Sequence, residues 1–414
     1  KKVGKRGQSP SISQPRRRQG LKIFRLHKHP IISLRMIPPQ PNTSQTQMNK
    51  ISDREQQIED ERFMARCLTL ARMGQGSTAP NPMVGAVVVH RGRIIGEGFH
   101  RAYGGPHAEV NAIGAVRDTT LLREATLYVS LEPCSHHGKT PPCAELIVRT
   151  GIPRVVVACM DPFPAVSGRG IEQLRQAGVQ VTVGVLESEA RRMNRFFLTA
   201  QIERRPYILL KWAESADGFL DRLRDCADEP PVRLSHAITL RAVHQLRSDV
   251  SAIMVGARTA LLDNPSLTVR HWFGTHPTRI LLDRQGITPA TSRLFDGAAP
   301  TIVFTAPDSP TLPSTVERID LDPAQPPLPQ IMHALHERRI QSLLVEGGAE
   351  LHRHFIDADL WDEAHVETTS LRIGSGIPSA DLQCHHNAVW QHDLYAGVGH
   401  RIAVYAHRRQ VSTE

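Results

Sequence analysis

From Asp53 onward the apolar residues Ile58, Phe63, Met64, Cys67, Leu68, Leu70 and Ala71 recur at three- and four-residue spacing, which predicts a helix with one buried face. Strand patterns follow. Met83 to Val89 and Arg93 to Phe99 flank a polar His-Arg-Gly turn, and β-branched runs recur at Ala125 to Leu131, Arg154 to Cys159 and Val179 to Val183. Helical patterns at His107 to Val116, Ala144 to Thr150 and Ile171 to Ala177 separate the later strands, so this half reads as an α/β sandwich, closed by a helix from about Glu187 to Gln201. Glu203-Arg204-Arg205-Pro206 then reads as a linker. Beyond it lie strand-like runs at Tyr207 to Ala213, Ala252 to Gly256, Thr278 to Leu282, Thr301 to Thr305, Ser342 to Val345, His365 to Thr369 and Arg401 to Tyr405. The expected layout is a tail over 1–50, a first domain over 51–202 and a second over 206–410.

Composition refines this picture at the tail. A formal charge of +9 invites a nucleic-acid reading, but residues 1–50 hold twelve Lys and Arg and no Asp or Glu, and the rest carries 38 basic against 41 acidic side chains. The folded part therefore offers no phosphate-tracking surface, and no nucleic-acid partner is expected. The tail is rich in Pro, Gln, Ser and Arg, and is expected to be disordered. Three readings of it stay open: an organelle transit peptide, a nucleic-acid or membrane arm, or an extension ahead of a later start near Met48. No run reaches the roughly 18 apolar residues of a membrane span, and no apolar segment with a cleavage site opens the chain. A cytoplasmic protein is expected, organellar if the tail is a transit peptide, with no membrane partner and a homo-oligomer left open. Six cysteines in 414 residues are too sparse for a disulfide scaffold, which turns attention to metal or catalytic use.

The chemical signal is His107-Ala108-Glu109 followed by Pro133-Cys134 and Cys143. One imidazole and two thiolates supply three ligands for Zn²⁺ and leave the fourth tetrahedral position to water, as catalytic zinc sites do, whereas a closed structural site would use four. Pro106 and Pro141-Pro142 stand where prolines open helices, so His107 and Cys143 are expected in helix first turns, with the helix dipole favouring a thiolate at Cys143. Glu109, two residues after the histidine, is placed to move protons beside the metal without ligating it. His136 and His137 read as loop histidines or substrate contacts rather than ligands, and Cys67 and Cys159 as core.

The zinc deaminase signature is H-x-E with P-C-x-x-C, and here its second half is stretched by an insert, Ser-His-His-Gly-Lys-Thr-Pro-Pro. The segment Leu131 to Cys143, together with Asn81-Pro82-Met83-Val84-Gly85, Gly98-Phe99-His100 and Pro106 to Glu109, closely resembles the deaminase half of the bifunctional riboflavin-biosynthesis deaminase/reductase family, in that family's order. One departure is Asp161-Pro162-Phe163-Pro164, where the family has Asn at the third place.

The second domain lacks G-x-G-x-x-G after a strand, so a Rossmann fold is not expected. It offers a strand emerging at Lys211 and turning at Asp217-Gly218, then His244 to Arg247, Ala257 to Thr259, Leu262 to Arg270, and the strand Leu343 to Val345 entering a helix through Glu346-Gly347-Gly348-Ala349. Amides exposed at that last turn suit a phosphate. These blocks resemble the reductase half of the same family, so the resemblance spans about residues 52 to 407.

The resemblance implies a cytidine-deaminase-like α/β/α sandwich followed by a dihydrofolate-reductase-like α/β domain. It implies that the first domain removes the 2-amino group of a phosphoribosylated diaminopyrimidinone as ammonia, using Zn²⁺. It implies that the second reduces the opened ribose to a ribityl chain with NADPH. By it, Ala213, Thr259, Asp263, Gly347, Gly348 and Ala349 would touch NADPH, and Arg247, Leu267, Arg270 and Glu346 would hold the phosphorylated sugar, a guanidinium fork matching phosphate. Between Asp217 and His244 the match is poor, and Pro230 to Ser235 receives no role. Two rivals are a nucleobase or tRNA adenosine deaminase with an inert second domain, and a zinc-stabilised RNA-binding scaffold.

Overall fold

A computed structural model describes residues 43–135, 141–162, 167–382 and 385–410, with side chains from Asp53 onward. The tail up to residue 42, His136 and His137, Phe163 and Cys384 lie outside the described residues. Helix α1, Thr43–Arg72, begins ten residues ahead of the expected start at Asp53, so residues 43–50 are helical. Pro41 is the last proline before it and no glycine follows until Gly74, so nothing in the chain stops the helix short of Thr43.

The first sheet is built by β1 (Gly85–His90), β2 (Arg93–Phe99), β3 (Thr126–Val129), β4 (Arg154–Val157) and β5 (Gln180–Val183), in the order β2-β1-β3-β4-β5. The β1–β2 hairpin and the β1–β3 pair are antiparallel, and β3–β4 and β4–β5 are parallel. Helices α2 (Ala108–Gly114), α3 (Cys143–Thr150) and α4 (Arg169–Gln176) connect these strands, with α5 (Glu187–Met193) and α6 (Arg195–Ile202) following. Alternation along β1 shows how the layers form. Ala86 and Val88 pack with Ala108, Ala112, Ile147 and Leu174 on one face, while Val87 and Val89 pack with Phe63, Met64 and Cys67 on the other. Cys67 and Cys159 are buried in this core, as the sequence predicts. The helix expected from Glu187 to Gln201 is broken at Asn194, whose side chain bonds both backbone groups of Met83 at 2.9 Å. A side chain recruited to a distant backbone ends one helix and starts the next.

The second sheet has the order β11-β10-β9-β8-β12-β6-β13-β16-β15. Its elements in chain order are β6 (Tyr207–Glu214), β7 (Phe219–Asp221), α7 (Ala237–Asp249), β8 (Ala252–Gly256), α8 (Ala257–Asp263), β9 (Thr278–Leu282), β10 (Thr301–Thr305), β11 (Glu317–Asp320), α9 (Pro327–Glu337), β12 (Ser342–Val345), α10 (Ala349–Asp357), β13 (Glu363–Thr369), β14 (Ile377–Pro378), β15 (Ala388–Gly397) and β16 (His400–His407). All seven expected strands are present. The pairs from β11 to β13 are parallel, and β16 and β15 close the edge antiparallel, while β7 and β14 form a separate ribbon. The unforeseen β11 and β15 are edge strands with mostly polar or half-exposed positions, so neither carries the apolar run by which a buried strand is recognised. Crossovers joining parallel neighbours bring the strand ends of β6, β8 and β12 to one edge, where ligands bind in open α/β sheets.

The stretch read as a linker is not loose. Arg205 is buried and its guanidinium grips Asp362 at 2.6 and 2.8 Å, with Glu203 at 2.5 Å. A charged run looks solvated when its partner lies 157 residues away. Side chains also bridge the two sheets' regions: Gln341 Nε2 donates to the Pro80 carbonyl and Gln75 Nε2 to Asp249, both at 2.7 Å. Among the described residues no helix is long and apolar enough to cross a membrane.

Candidate active sites

His107 stands at the N-cap of α2, one position ahead of the expected first turn, and Cys143 is the first residue of α3. Helix α2 lies directly on β2 because Gly96 and Gly98 leave room: a Cβ at Gly98 would fall 2.5 Å from the Asn111 Cβ. His107 Nδ1 lies 3.3 Å from Cys143 Sγ and 3.6 Å from Cys134 Sγ. Tetrahedral Zn²⁺ at about 2.3 Å from sulfur and about 2.0 Å from nitrogen needs N···S separations of about 3.5 Å. The three donors fit that ion, and they form the one such His/Cys/Asp/Glu group among the described residues. His100 stands beside it, its ring edge-on to His107 at 5.8 Å between centroids. Its Nδ1 donates to the Pro106 carbonyl at 3.0 Å, which leaves Nε2 to accept from Asn81 Nδ2 at 3.1 Å.

Electrostatics separates the two thiols. The Cys143 backbone N–H donates to Cys134 Sγ at 3.3 Å, so the amide at the start of α3 serves Cys134 rather than Cys143, contrary to the expectation from the helix dipole. Hydrogen bonds from Cys143 and His107 pull Cys134 down to about 4, and Cys143 is driven up because it keeps the shared proton. Glu109 is buried beside them, and burial pushes its carboxyl up to about 7, with His107 opposing the rise. A carboxyl poised near neutrality, with no ligand role in the cluster, is suited to taking up and releasing protons.

Sequence reading missed the support for this site. Glu132, buried one residue before Pro133, accepts four backbone N–H groups: Asp161 at 3.2 Å and Gly168 at 3.0 Å on one oxygen, Gly170 at 3.0 Å and Ile171 at 3.3 Å on the other. The loop into α4 is thereby tied to the segment carrying Cys134. A buried Glu at the end of an apolar strand was the available signal.

In the second sheet, Tyr207 and Leu209 pack on one face with Val255 and Leu344, while Ile208, Leu210 and Trp212 pack on the other. Alternation places Lys211 and Ala213 on the first face, where β6 becomes half-open. Glu346 arrives there from the end of β12. Arg247 of α7 grips it with two hydrogen bonds, 2.9 and 2.7 Å, and reaches the Thr268 carbonyl at 3.2 Å. Arg247 is thus already paired, whereas Arg270 keeps an exposed guanidinium that touches Thr268 Oγ1 at 3.2 Å. His244 accepts the Arg270 backbone N–H at 3.1 Å, and burial, then Arg247 and Arg270, push it down to about 4. Leu267 sends its side chain into the core at φ +51, so only its backbone can face a ligand.

The remaining positions fall in two places. Gly347 lies against β8, where a Cβ would meet Val255 Cα at 2.6 Å. Gly348, at φ +40, caps α10 and faces Thr259, whose Oγ1 would lie 3.3 Å from an added Cβ, while Ala349 opens the helix. The free amides of α10 and the Thr259 hydroxyl therefore share one opening, which fits a phosphate-bearing cofactor. Asp263, the last residue of α8, is ion-paired with Arg224, which also binds Asp221 at 2.7 Å. The poorly matching stretch after Asp217 is thus anchored on an expected cofactor residue.

Comparison with known proteins joins the two halves. Residues 57–159 match the cytidine and deoxycytidylate deaminase zinc-binding region family, and residues 206–387 match the RibD C-terminal domain family. The riboflavin biosynthesis protein RibD of Aquifex aeolicus is 40% identical over 329 residues, 78% of this chain and 90% of that one. RibD of Escherichia coli is 37% identical over 335 residues, 77% of this chain and 89% of that one. The crystal structure of a Thermotoga maritima diaminohydroxyphosphoribosylaminopyrimidine deaminase/5-amino-6-(5-phosphoribosylamino)uracil reductase superposes with a TM-score of 0.77 at 37% identity, covering 85% of this chain and 99% of that one. Acinetobacter baumannii RibD follows at 0.75 and 30% identity, with the same coverage. A chain that carries both matched regions in this order, at such identity over most of its relatives' length, belongs to the RibD family of riboflavin biosynthesis proteins.

Proposed function

We propose that this chain carries out two consecutive steps of riboflavin synthesis. The first is hydrolytic deamination of 2,5-diamino-6-(5-phosphoribosylamino)pyrimidin-4-one. The second is NADPH-dependent reduction of its ribosyl to a ribityl side chain. The observation that carries this reading is the His107, Cys134 and Cys143 cluster with buried Glu109, on the same chain as a second sheet whose β12 end presents Glu346, gripped by Arg247, beside the Gly347-Gly348-Ala349 turn. The relatives' names supply the substrates.

In the first site His107, Cys134 and Cys143 hold Zn²⁺, which when bound lowers the pKa of water and makes it a nucleophile near neutral pH. Glu109 accepts the proton of the attacking water and returns it to the leaving amino nitrogen, so that water adds at the amidine carbon and ammonia departs. The Asn81 and His100 pair borders the site and is placed to orient the pyrimidine. In the second site Thr259, the Gly347-Gly348-Ala349 turn and Ala213 receive NADPH, which supplies hydride, and Asp263 with its Arg224 clamp frames that opening. Arg270 and the Leu267 backbone meet the sugar phosphate, with Arg247 and Glu346 fixing each other beside it. The domain division at Glu203 to Pro206 belongs to this proposal.

Incubating the purified protein with the diaminopyrimidinone phosphate, with and without NADPH, tests it. Ammonia and the deaminated mass are expected without NADPH, and a further gain of two hydrogens with it. Absence of ammonia from the zinc-loaded protein would refute the first assignment, and absence of NADPH oxidation on the deaminated compound the second.

A further inference from the structure

The second sheet holds a cavity on the face turned away from the reductase residues of β6. Along that strand Lys211 and Ala213 point to one face, so Trp212 and Glu214 point to the other. There Trp212 packs in one core with Val366 of β13 and Tyr405 of β16, and Ala380 and Leu382, which follow β14, belong to the same core. These side chains do not fill the space they enclose. A cavity of about 300 Å³ remains among them, closed on one side where the Ser379 N–H donates to the Gly218 carbonyl at 2.9 Å. That volume suits a small molecule.

Two polar groups lining the cavity lack what burial demands. Glu214 is only 9% exposed, and it accepts from Trp212 Nε1 at 2.9 Å and from Thr368 Oγ1 at 3.3 Å, one donor to each oxygen. Both donors are neutral. Among the described residues Glu214 has no ion-pair partner, although a buried carboxylate is costly unless a cation faces it. Tyr405 is 8% exposed, and among the described residues its hydroxyl has no hydrogen-bond partner, which a buried tyrosine normally finds. Burial pushes the Tyr405 phenol up, with Arg401 opposing and Glu214 adding, so the phenol stays neutral and its oxygen can accept. Arg401 does not supply the missing charge, because Asp393 holds it at 2.9 Å. Asp381 stands at the exposed edge of the cavity and adds a second negative group.

A carboxylate without a cation, a phenol oxygen without a donor and two aromatic walls are the complement of an organic cation. A divalent metal ion fits poorly, since it takes about six oxygen ligands, and the His/Cys/Asp/Glu group that could hold an ion among the described residues is the one in the first domain. An anion or a neutral sugar would leave Glu214 uncompensated. The rings of Trp212 and Tyr405 attract positive charge and offer apolar surface to the body that carries it. We propose that this cavity is a binding site for a small organic cation, a primary ammonium on a flat apolar body, whose N–H groups donate to the Glu214 carboxylate and the Tyr405 oxygen.

Calorimetric titration of the zinc-loaded full chain with benzylamine at neutral pH tests this, with benzyl alcohol as the uncharged counterpart. One benzylamine per chain is expected, with a Kd of about 1 mM or below. Benzyl alcohol should bind at least about tenfold more weakly, because it lacks the charged contact. Glu214→Gln keeps the shape and removes the charge, so it should weaken benzylamine at least about tenfold and leave benzyl alcohol unchanged. Tyr405→Phe should weaken benzylamine by about threefold or more. Saturating NADPH should leave the affinity as it is, since the opening at Thr259 and Gly348 is a separate place. Thermal melts and ammonia release of both variants control for folding. Absence of saturable benzylamine binding, equal affinity for the alcohol, or wild-type affinity in Glu214→Gln overturns the proposal, and displacement by NADPH does so by placing the amine in the reductase cleft. If Glu214→Gln fails to fold, wild-type affinity in Tyr405→Phe overturns it.

Discussion

Replacing Asp362 by Ala should cost this protein a large share of its stability while sparing the chemistry of both sites. Asp362 is fully buried at the start of β13 and accepts five hydrogen bonds: Arg205 Nη1 at 2.6 Å and Nη2 at 2.8 Å, the Ile208 N–H at 2.8 Å, Gln410 Nε2 at 2.8 Å and Arg409 Nη2 at 3.3 Å. Truncation leaves the Arg205 guanidinium buried with only Glu203 and the Pro206 carbonyl. Removing one partner of a buried pair typically costs about 3–5 kcal/mol, and an orphaned N–H about 1–3 kcal/mol. These overlap, so about 4 kcal/mol is a reasonable expectation against a total of about 5–15 kcal/mol. At about 2–4 °C per kcal/mol, the melting temperature should fall by about 8–16 °C. Thermal melts of wild type, Asp362→Ala, Arg205→Met and the double variant measure this directly. The double variant should be more stable than Asp362→Ala alone, because no charge is left uncompensated. A single variant melting within about 2 °C of wild type would show that the clamp contributes nothing and that the stretch behaves as the loose linker it resembles.

Other expectations can be checked with standard assays. Glu109→Gln should retain one zinc per chain by metal analysis and lose ammonia release, since it removes the proton carrier and none of the three donors. Glu132→Gln should expose residues 161–171 to hydrogen exchange, because an amide can satisfy only one of the two N–H pairs that the carboxylate now accepts. Asp60 is held below its usual range despite burial by Arg154 and Tyr128, so it stabilises the fold above the ordinary carboxylate pKa and that contribution is lost as pH falls through the lowered value. Asp60→Asn should accordingly be less stable than wild type at neutral pH, with the gap closing below about pH 4 in denaturant titrations. Gly348→Val should abolish NADPH oxidation and leave ammonia release, since a β-branched residue resists φ +40 and would crowd Thr259 at the mouth of α10.

What could be read from the sequence follows from where each residue's partners lie. The strands of both cores were legible because burial on two faces demands continuous apolar runs, as in Ala86 to Val89 and Leu343 to Val345. The clustering of His107, Cys134 and Cys143 was legible because their identities already point to metal chemistry, and Pro106 and Pro142 mark the starts of α2 and α3. Which thiol is the better anion was not legible. It turned on contacts made in the fold: Cys134 receives the Cys143 thiol, then His107, then the Cys143 backbone N–H, which points at its sulfur rather than at Cys143's own.

The same logic explains the clearest departures. Arg205 and Ser235 sit in stretches that look polar and unconstrained, and each is fixed by a carboxylate more than 130 residues downstream, Asp362 and Glu367. Asp362 immediately precedes β13 and Glu367 stands on it, and β13 pairs in parallel with β6 and therefore needs a long crossover between them. Parallel topology separates in sequence what it joins in space, so charges that pair across it look unpaired to any local pattern. The apolar strand Tyr207 to Glu214 contained a clue, since Lys211 interrupts a run that otherwise reads as core. A lone charge in such a run needs a compensating partner on an adjacent strand. The adjacent strands are β12 and β13, and they deliver Glu346 and Glu367 to the two sides of it.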